Sequence, residues 1–557
     1  MSWIPINEVP IYTPQRRRRL VVIGAGLAGL MIAHKVQHEF RVEDSIDLVI
    51  YEKNEDVGGT WYETRYLGAG LDVPSHVYTF RFAPNPNWSK FHVEREEVWN
   101  YIRETTTKFE LDKHVEFKRK VVAAEWNGEL GKWRVTTENT ATREQSQELA
   151  DIVVDCSGLL NKWRWPEIAG RENFKGHMVH SARWDEKHSY AGENVCIIGN
   201  GASGIQLLPQ LVEATGGNKT VVNLIRNPTW ILENFGLEFT PDGHNFTFSE
   251  EEKQKFRDQP QVHRQYRHDL ELSSNKRFPG LHKDSPEQEA LRIKVTESMK
   301  QRLGYDESLI AKLIPNYHVG CRKATPGMGY LECFASGRAD VVIGRIARFT
   351  ETGIVLEDGQ ELDFDAIICA TGFDTSFDPT WKLTGLDGVE LAGLWKEYGG
   401  AYAYFGVVLP QMPNYFIVNG PNAAAGHALI LTGMATAVDY IFEWVLKLSR
   451  ESIRSMVVKE KAIHDYNVYT QEFLKRMVWS DGGCGSWYKA GGAEGRVSAL
   501  YGGSMLHYME MMSKIRGEDF ELEYDSANMF GFLGNGYSTL EARIRDEPDV
   551  DLAYYVR

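Results

Sequence analysis

Two short stretches have the residue types and spacing to hold phosphate: Gly24-Ala-Gly26-Leu-Ala-Gly29 and Gly199-Asn-Gly201-Ala-Ser203-Gly204. In a G-x-G-x-x-G turn the first glycine bends the chain tightly. The second admits a pyrophosphate against the backbone, and the third lets helix and strand close together. Free N–H groups and the positive end of the helix dipole then face the phosphate. After the first turn, Glu52 ends the next apolar run, where a carboxylate accepts hydrogen bonds from ribose hydroxyls. At the matching place after the second turn stands Arg226. A guanidinium there makes charge-assisted bonds to a 2′-phosphate that a carboxylate would repel. The economical assignment is FAD on Gly24, Gly26, Gly29 and Glu52, and NADPH on Gly199, Gly201, Ser203, Gly204 and Arg226.

These residues need strand–turn–helix–strand units to position them. Leu20 to Gly24 reads as a buried strand, with a helix from Leu30 and a second strand over Asp47 to Glu52. Asn194 to Ile198, Ile205 to Ala214 and Thr220 to Arg226 repeat the pattern. The expected class is α/β: two Rossmann-like dinucleotide-binding domains with a helical insertion. The first domain takes residues 1–157 and, with a C-terminal extension, 373–557. The second takes 158–245 and 319–372, and polar, helically spaced residues 246–318 form the insertion. Asp155-Cys-Ser157-Gly158 and Ala370-Thr371-Gly372 read as the outward and return crossings.

Composition narrows the function classes. The 557 residues are 43% hydrophobic and 25% charged, ordinary for a globular protein of several packing units. A net charge of −15 argues against nucleic acid as a partner. No apolar run approaches the roughly 18 residues of a membrane span, and Met1 to Pro14 lacks a secretory signal's apolar core. The basic run Arg16 to Arg19 reads as a solvated approach to the first strand rather than a targeting patch. Six dispersed cysteines contain no C-x-x-C, which disfavours zinc and a redox dithiol and fits a reducing, cytoplasmic compartment. Cys156, Cys196 and Cys369 read as buried thiols. No metal site is expected. Trp163, Trp165, Trp184, Trp230 and Trp479 read as core or seam aromatics.

Phe174-Lys-Gly176-His-Met-Val-His180-Ser-Ala-Arg-Trp184-Asp185 matches F-x-G-x-x-x-H-x-x-x-W-[PD] at every specified position. By this stretch the chain resembles the Baeyer–Villiger monooxygenases, over residues from about 20 to 510. Gly59 to Asp72 resembles that family's second motif, with Leu67 where proline is usual. Gly420-Pro421-Asn422 with Gly426-His427 resembles a flavin-side loop, and Ser486-Trp487-Tyr488 the mobile loop whose tryptophan folds over NADP. The resemblance implies an enzyme in which NADPH reduces FAD, and the reduced flavin with O2 gives a C4a-peroxyflavin. That species attacks a small-molecule ketone or aldehyde, yielding an ester or lactone. It further implies that Thr60, Trp61, Asp72 and Tyr78 contact flavin and that Trp487 contacts NADP, in a monomer or weak homo-oligomer.

The family's arginine beside the reacting oxygen lies in a basic doublet ahead of a G-Y-x-x-x-F stretch; the candidates are Arg322 and Lys323 before Gly329-Tyr330. Counting back without gaps selects Lys323. A one-residue shift at Thr325-Pro326-Gly327 selects Arg322, which the demand for an always-charged fork favours. Arg322 is then catalytic, Asp72 orients it, and Lys323 faces the NADP phosphate. His180 reads as a tie between domains. The competing readings are amine or sulfide oxidation, as in flavin-containing monooxygenases, and an NADP-binding sensor. The intact Gly24, Gly26, Gly29 and Glu52 speak against the sensor.

Overall fold

The computed structural model describes residues 6, 8–217, 220–526, 528–545, 547 and 549–556; most of Met1 to Ile6 in the N-terminal stretch considered above lies outside them. Two five-stranded parallel sheets form the frame. The first runs, in spatial order, Tyr415–Ile417, Ile152–Asp155, Arg18–Ile23, Ile46–Tyr51 and Val115–Glu116. Its central strands are valine- and isoleucine-rich and buried, as a parallel sheet covered on both faces requires. Helix Leu27–His34 and the long helix Ile430–Arg450 pack together within the same core. Each fully buried Val, Leu or Ile contributes about 1.5–3 kcal/mol by leaving water.

The second sheet runs Ala339–Ile343, Val221–Ile225, Val195–Ile198, Ala366–Cys369 and His177–His180. Helix Ala202–Ala214 buries Ile205, Leu207, Leu208 and Leu211 in its core. Both sheets are Rossmann-like. Four helices of the insertion lie between Val221–Ile225 and Ala339–Ile343: Glu250–Asp258, Pro260–Asn275, Pro286–Arg302 and Glu307–Leu313, with a short fifth, Tyr330–Ala335, after them. Their starts are written locally. Ser249 and Glu252 form a reciprocal capping box, while Ser285 and Asp306 cap the third and fourth helices.

Two expectations are corrected. Arg16 to Arg19 is only in part a solvated approach: Arg17 is exposed, but the other three are held by carboxylates. Arg18 is 2% exposed and pairs with Asp525 at 2.7 Å; Arg16 pairs with Asp151 at 2.6 Å and Arg19 with Glu148 at 2.7 Å. The run ties the first strand to the hairpin and tail beside it. The cysteines are not all free thiols either: Cys321 and Cys484, 163 residues apart, form a disulfide. Cys156, Cys196, Cys333 and Cys369 are free and buried. No helix among the described residues is long and apolar enough to cross a membrane.

Candidate active site between the two glycine turns

The two turns have the same local construction. Gly24 has φ +103° and Gly199 φ +112°, a left-handed region that favours glycine. A Cβ on Gly29 would lie 2.1 Å from Gly24 O, and one on Gly204 would lie 2.2 Å from Gly199 O. Strand and helix therefore meet backbone to backbone at both places. Gly26 and Gly201 each precede a helix. Nothing stands within 4 Å of a Cβ built on Gly201, so this backbone is open to a close-lying group. Gly26 faces Gly59 across a similar cradle, since a Cβ on Gly59 would lie 3.2 Å from Gly26 Cα.

Glu52 is buried at the strand end. Its Oε2 accepts from Ala25 N and its Oε1 from Asn54 N, both at 2.8 Å. Burial pushes the carboxyl up despite these hydrogen bonds. Each oxygen keeps a lone pair for a sugar hydroxyl. Arg226 is exposed at the end of Val221–Ile225, with no side-chain hydrogen bond or ion pair among the described residues. Open glycine backbone at a helix start followed by an acid at one turn and a free arginine at the other fits FAD and NADP respectively.

Gly24, Gly26, Glu52, Thr60, Trp61, Asp72, Tyr78, Lys323 and Trp487 line one cavity of about 1100 Å³. Trp61 Nε1 donates to the Tyr78 hydroxyl at 2.9 Å, fixing both rings in its wall. Gly29 packs behind the first turn. Ser203 meets the Tyr66 hydroxyl from the second-turn helix.

In the basic doublet it is Lys323, rather than Arg322, that pairs with Asp72. Lys323 Nζ lies 2.6 Å from Asp72 Oδ2. Burial pushes the Asp72 carboxyl up, but the charge and hydrogen bond of Lys323 outweigh it and hold the group below its usual range. Arg322 points the other way. Its Nη1 donates to Pro228 O at 3.4 Å and its Nη2 to Asn200 Oδ1 at 3.5 Å, beside the second glycine turn. The residue that the ungapped count from Gly329-Tyr330 selects, Lys323, is thus the one that meets Asp72.

Two devices join the parts. Tyr66 OH donates to Gln206 Oε1 at 2.7 Å, and Gln206 Nε2 donates to Gly70 O at 3.2 Å, so the 59–72 segment docks on the second-turn helix. The contact of His180 stays within the second domain: at the end of its edge strand, its Nε2 is 3.2 Å from Thr371 Oγ1, just past the neighbouring strand of the same sheet, and its Nδ1 accepts from Ala182 N at 3.1 Å. Burial holds its pKa down, at about 4. The Cys321–Cys484 disulfide anchors the basic doublet to the loop that carries Trp487. His318 and Asp481 add a 2.6 Å contact to that anchor, and Asn422 Nδ2 donates to Val497 O and Leu500 O at 2.9 Å.

Trp230 and Trp479 are buried as expected, whereas Trp163 reaches the cavity. Sequence reasoning missed the disulfide, the Tyr66–Gln206 bridge and the cavity residues Lys276 and Arg277. No local spacing signals these, because each depends on chain segments brought together by folding.

A family model described as flavin-binding monooxygenase-like matches residues 17–243. The chain is 43% identical to the FAD-binding monooxygenase tazF of Aspergillus terreus, over 100% of this chain and 97% of that one. It is 30% identical to a Baeyer–Villiger monooxygenase of Streptomyces coelicolor, over 90% and 92%. Among solved structures, a complex of OTEMO with FAD and NADP superposes with a TM-score of 0.78 at 23% identity, covering 92% of this chain and 100% of that one.

Proposed function

The chain belongs to the Baeyer–Villiger monooxygenase family of flavoproteins, and from that membership we propose that it inserts one oxygen atom beside a ketone or aldehyde carbonyl. The balanced reaction is ketone, O2, NADPH and H⁺ to ester or lactone, NADP⁺ and water. Bound FAD, reduced by NADPH, supplies the activation of oxygen. Gly24, Gly26, Gly29 and Glu52 would hold FAD; Gly199, Gly201, Ser203, Gly204, Arg226 and Arg322 would hold NADPH.

The observation carrying the reading is the Lys323–Asp72 ion pair in the cavity that opens at the first glycine turn. Attack on a carbonyl develops negative charge on its oxygen, and a fixed cation stabilises that charge most where water is excluded. Lys323 Nζ supplies the cation. Asp72 orients it and, being held ionised, keeps it from wandering. Trp487 and Tyr488 close the wall beside it. Lysine is a point charge, without the rigid fork of arginine, so its placement depends more heavily on Asp72.

The test is incubation of the purified holoenzyme with NADPH, O2 and linear, cyclic and bulky ketones, alongside a thioether, with products identified by mass. Esters or lactones support the reading. A sulfoxide as sole product transfers the chain to heteroatom oxidation.

A further inference from the structure

The cavity wall formed by the helical insertion holds a guanidinium with no close partner. Arg277 follows helix Pro260–Asn275 and lines the cavity. Its side chain makes no hydrogen bond among the described residues. The nearest carboxylate, Glu238 Oε1, is 4.0 Å away, beyond hydrogen-bond distance, and already accepts from Ser273 Oγ. The Phe235 ring lies 4.9 Å beneath the guanidinium carbon and holds it flat. Burial is the largest influence on the group and lowers its pKa. Next to it, both ring nitrogens of His427 are buried without partners. The ring packs on Phe278 at 5.0 Å between centroids, and burial, then Arg277, keeps it neutral, with a pKa of about 4.

Buried polar groups are ordinarily hydrogen-bonded, and leaving them unpaired is costly. Here a guanidinium that is 35% exposed and held only by a 4.0 Å ion pair to Glu238 stands beside a buried imidazole with both nitrogens unpartnered, on the wall of a cavity. A planar anionic oxygen group satisfies a guanidinium fork bidentately. The flanking Phe235 and Phe278 rings suit an aromatic or otherwise apolar body behind that group. Lys276, also in the wall, adds positive charge and no competing acceptor.

We propose that Arg277, with His427 beside it, is a specificity-determining site that binds a carboxylate or ionised phenol of the substrate remote from its reacting carbonyl. The substrate class is then an acidic, apolar-bodied ketone. This rests on the ketone reading above and adds the recognition of its far end.

The experiment compares two keto acids, 3-acetylbenzoate and 4-(4-oxopentyl)benzoate, with their methyl esters. Its measure is the acid-to-ester ratio of kcat/KM. In Arg277→Met the ratio should fall by about 10-fold or more for at least one acid, because a charge-assisted hydrogen bond is lost. Arg277→Lys should recover part of it. Glu238→Gln, which removes the one competing anion, should raise it. Dissociation constants of 2-naphthoate for the oxidised holoenzyme and the same variants give a readout independent of turnover. An unchanged ratio and unchanged 2-naphthoate binding in Arg277→Met overturn the proposal while leaving ketone oxidation intact. If no ketone is oxidised but a thioether is, the ketone reading fails, and the 2-naphthoate constants alone decide for or against the anion site.

Discussion

Lys323 Nζ sits 2.6 Å from Asp72 Oδ2, whereas the adjacent Arg322 reaches back to Asn200 in the second glycine turn. The two cations thus serve different ends of the site. Lys323→Met should lower the rate of substrate oxygenation by about 10²–10³-fold, the usual cost of losing one preorganised charge donor. Reduction of the flavin by NADPH should persist in stopped-flow traces. Lys323→Arg should retain much of the activity. Normal oxygenation in Lys323→Met, with loss in Arg322→Met, would return the roles to the order read from the sequence.

Gly29 offers a test of the first cradle. Its missing Cβ would be 2.1 Å from Gly24 O, a contact relieved only if helix and strand part. Gly29→Val should therefore yield protein purified without yellow colour, or with flavin lost on gel filtration. Stoichiometric flavin in that variant would show that the turn tolerates separation.

Arg226 should matter for the choice between nicotinamide cofactors. A charge-assisted bond to phosphate is worth about 1.5–3 kcal/mol, or about 10- to 100-fold. Arg226→Glu should raise the KM for NADPH by that factor and improve the relative use of NADH. Equal losses for both cofactors would mean that the residue supports the fold rather than the 2′-phosphate.

Acid should destabilise the protein through its histidines. Burial, the largest cause in each case, holds His34, His92, His263 and His427 at about 4, below the ordinary imidazole value of about 6.5. The unfolded chain takes up protons as pH falls through 6.5, and the folded chain does so only near 4. Stability is therefore full above the unfolded value and declines between the two. Thermal midpoints should drop on going from about pH 7.5 to about pH 5, and His263→Gln should flatten the slope. His263 is the informative choice because its Nε2 is 2.9 Å from Nδ1 of buried His76. A midpoint independent of pH in that range would refute the argument.

The parts of the site that lie along contiguous chain were legible in the sequence. The turn glycines, Glu52 and Arg226 belong to strand–turn–helix–strand units, whose residue order is also their spatial order. Asp72 and Trp487 were reached through resemblance, and both line the cavity. For the doublet, chemistry favoured a guanidinium, while the direction each side chain takes depends on a bend at Cys321-Arg322 that local residue types do not reveal; it is Lys323 that meets Asp72. The disulfide and Arg277 were out of reach for another reason. Cys321 finds Cys484 across 163 residues, and Arg277 becomes conspicuous only when its lack of a close partner is visible.

The last strand of the first sheet, Tyr415–Ile417, pairs with Ile152–Asp155 after the whole second sheet has been threaded between them. During synthesis at about 5–20 residues per second, the inner sheet has all its strands once Ala366–Cys369 emerges. The outer sheet is still waiting for its edge. Residues 18–155 therefore spend roughly ten to fifty seconds with an unpaired strand edge exposed, the kind of surface that templates aggregation. Order of emergence makes the inner domain the natural first to close, and the flavin cradle the last part to be completed.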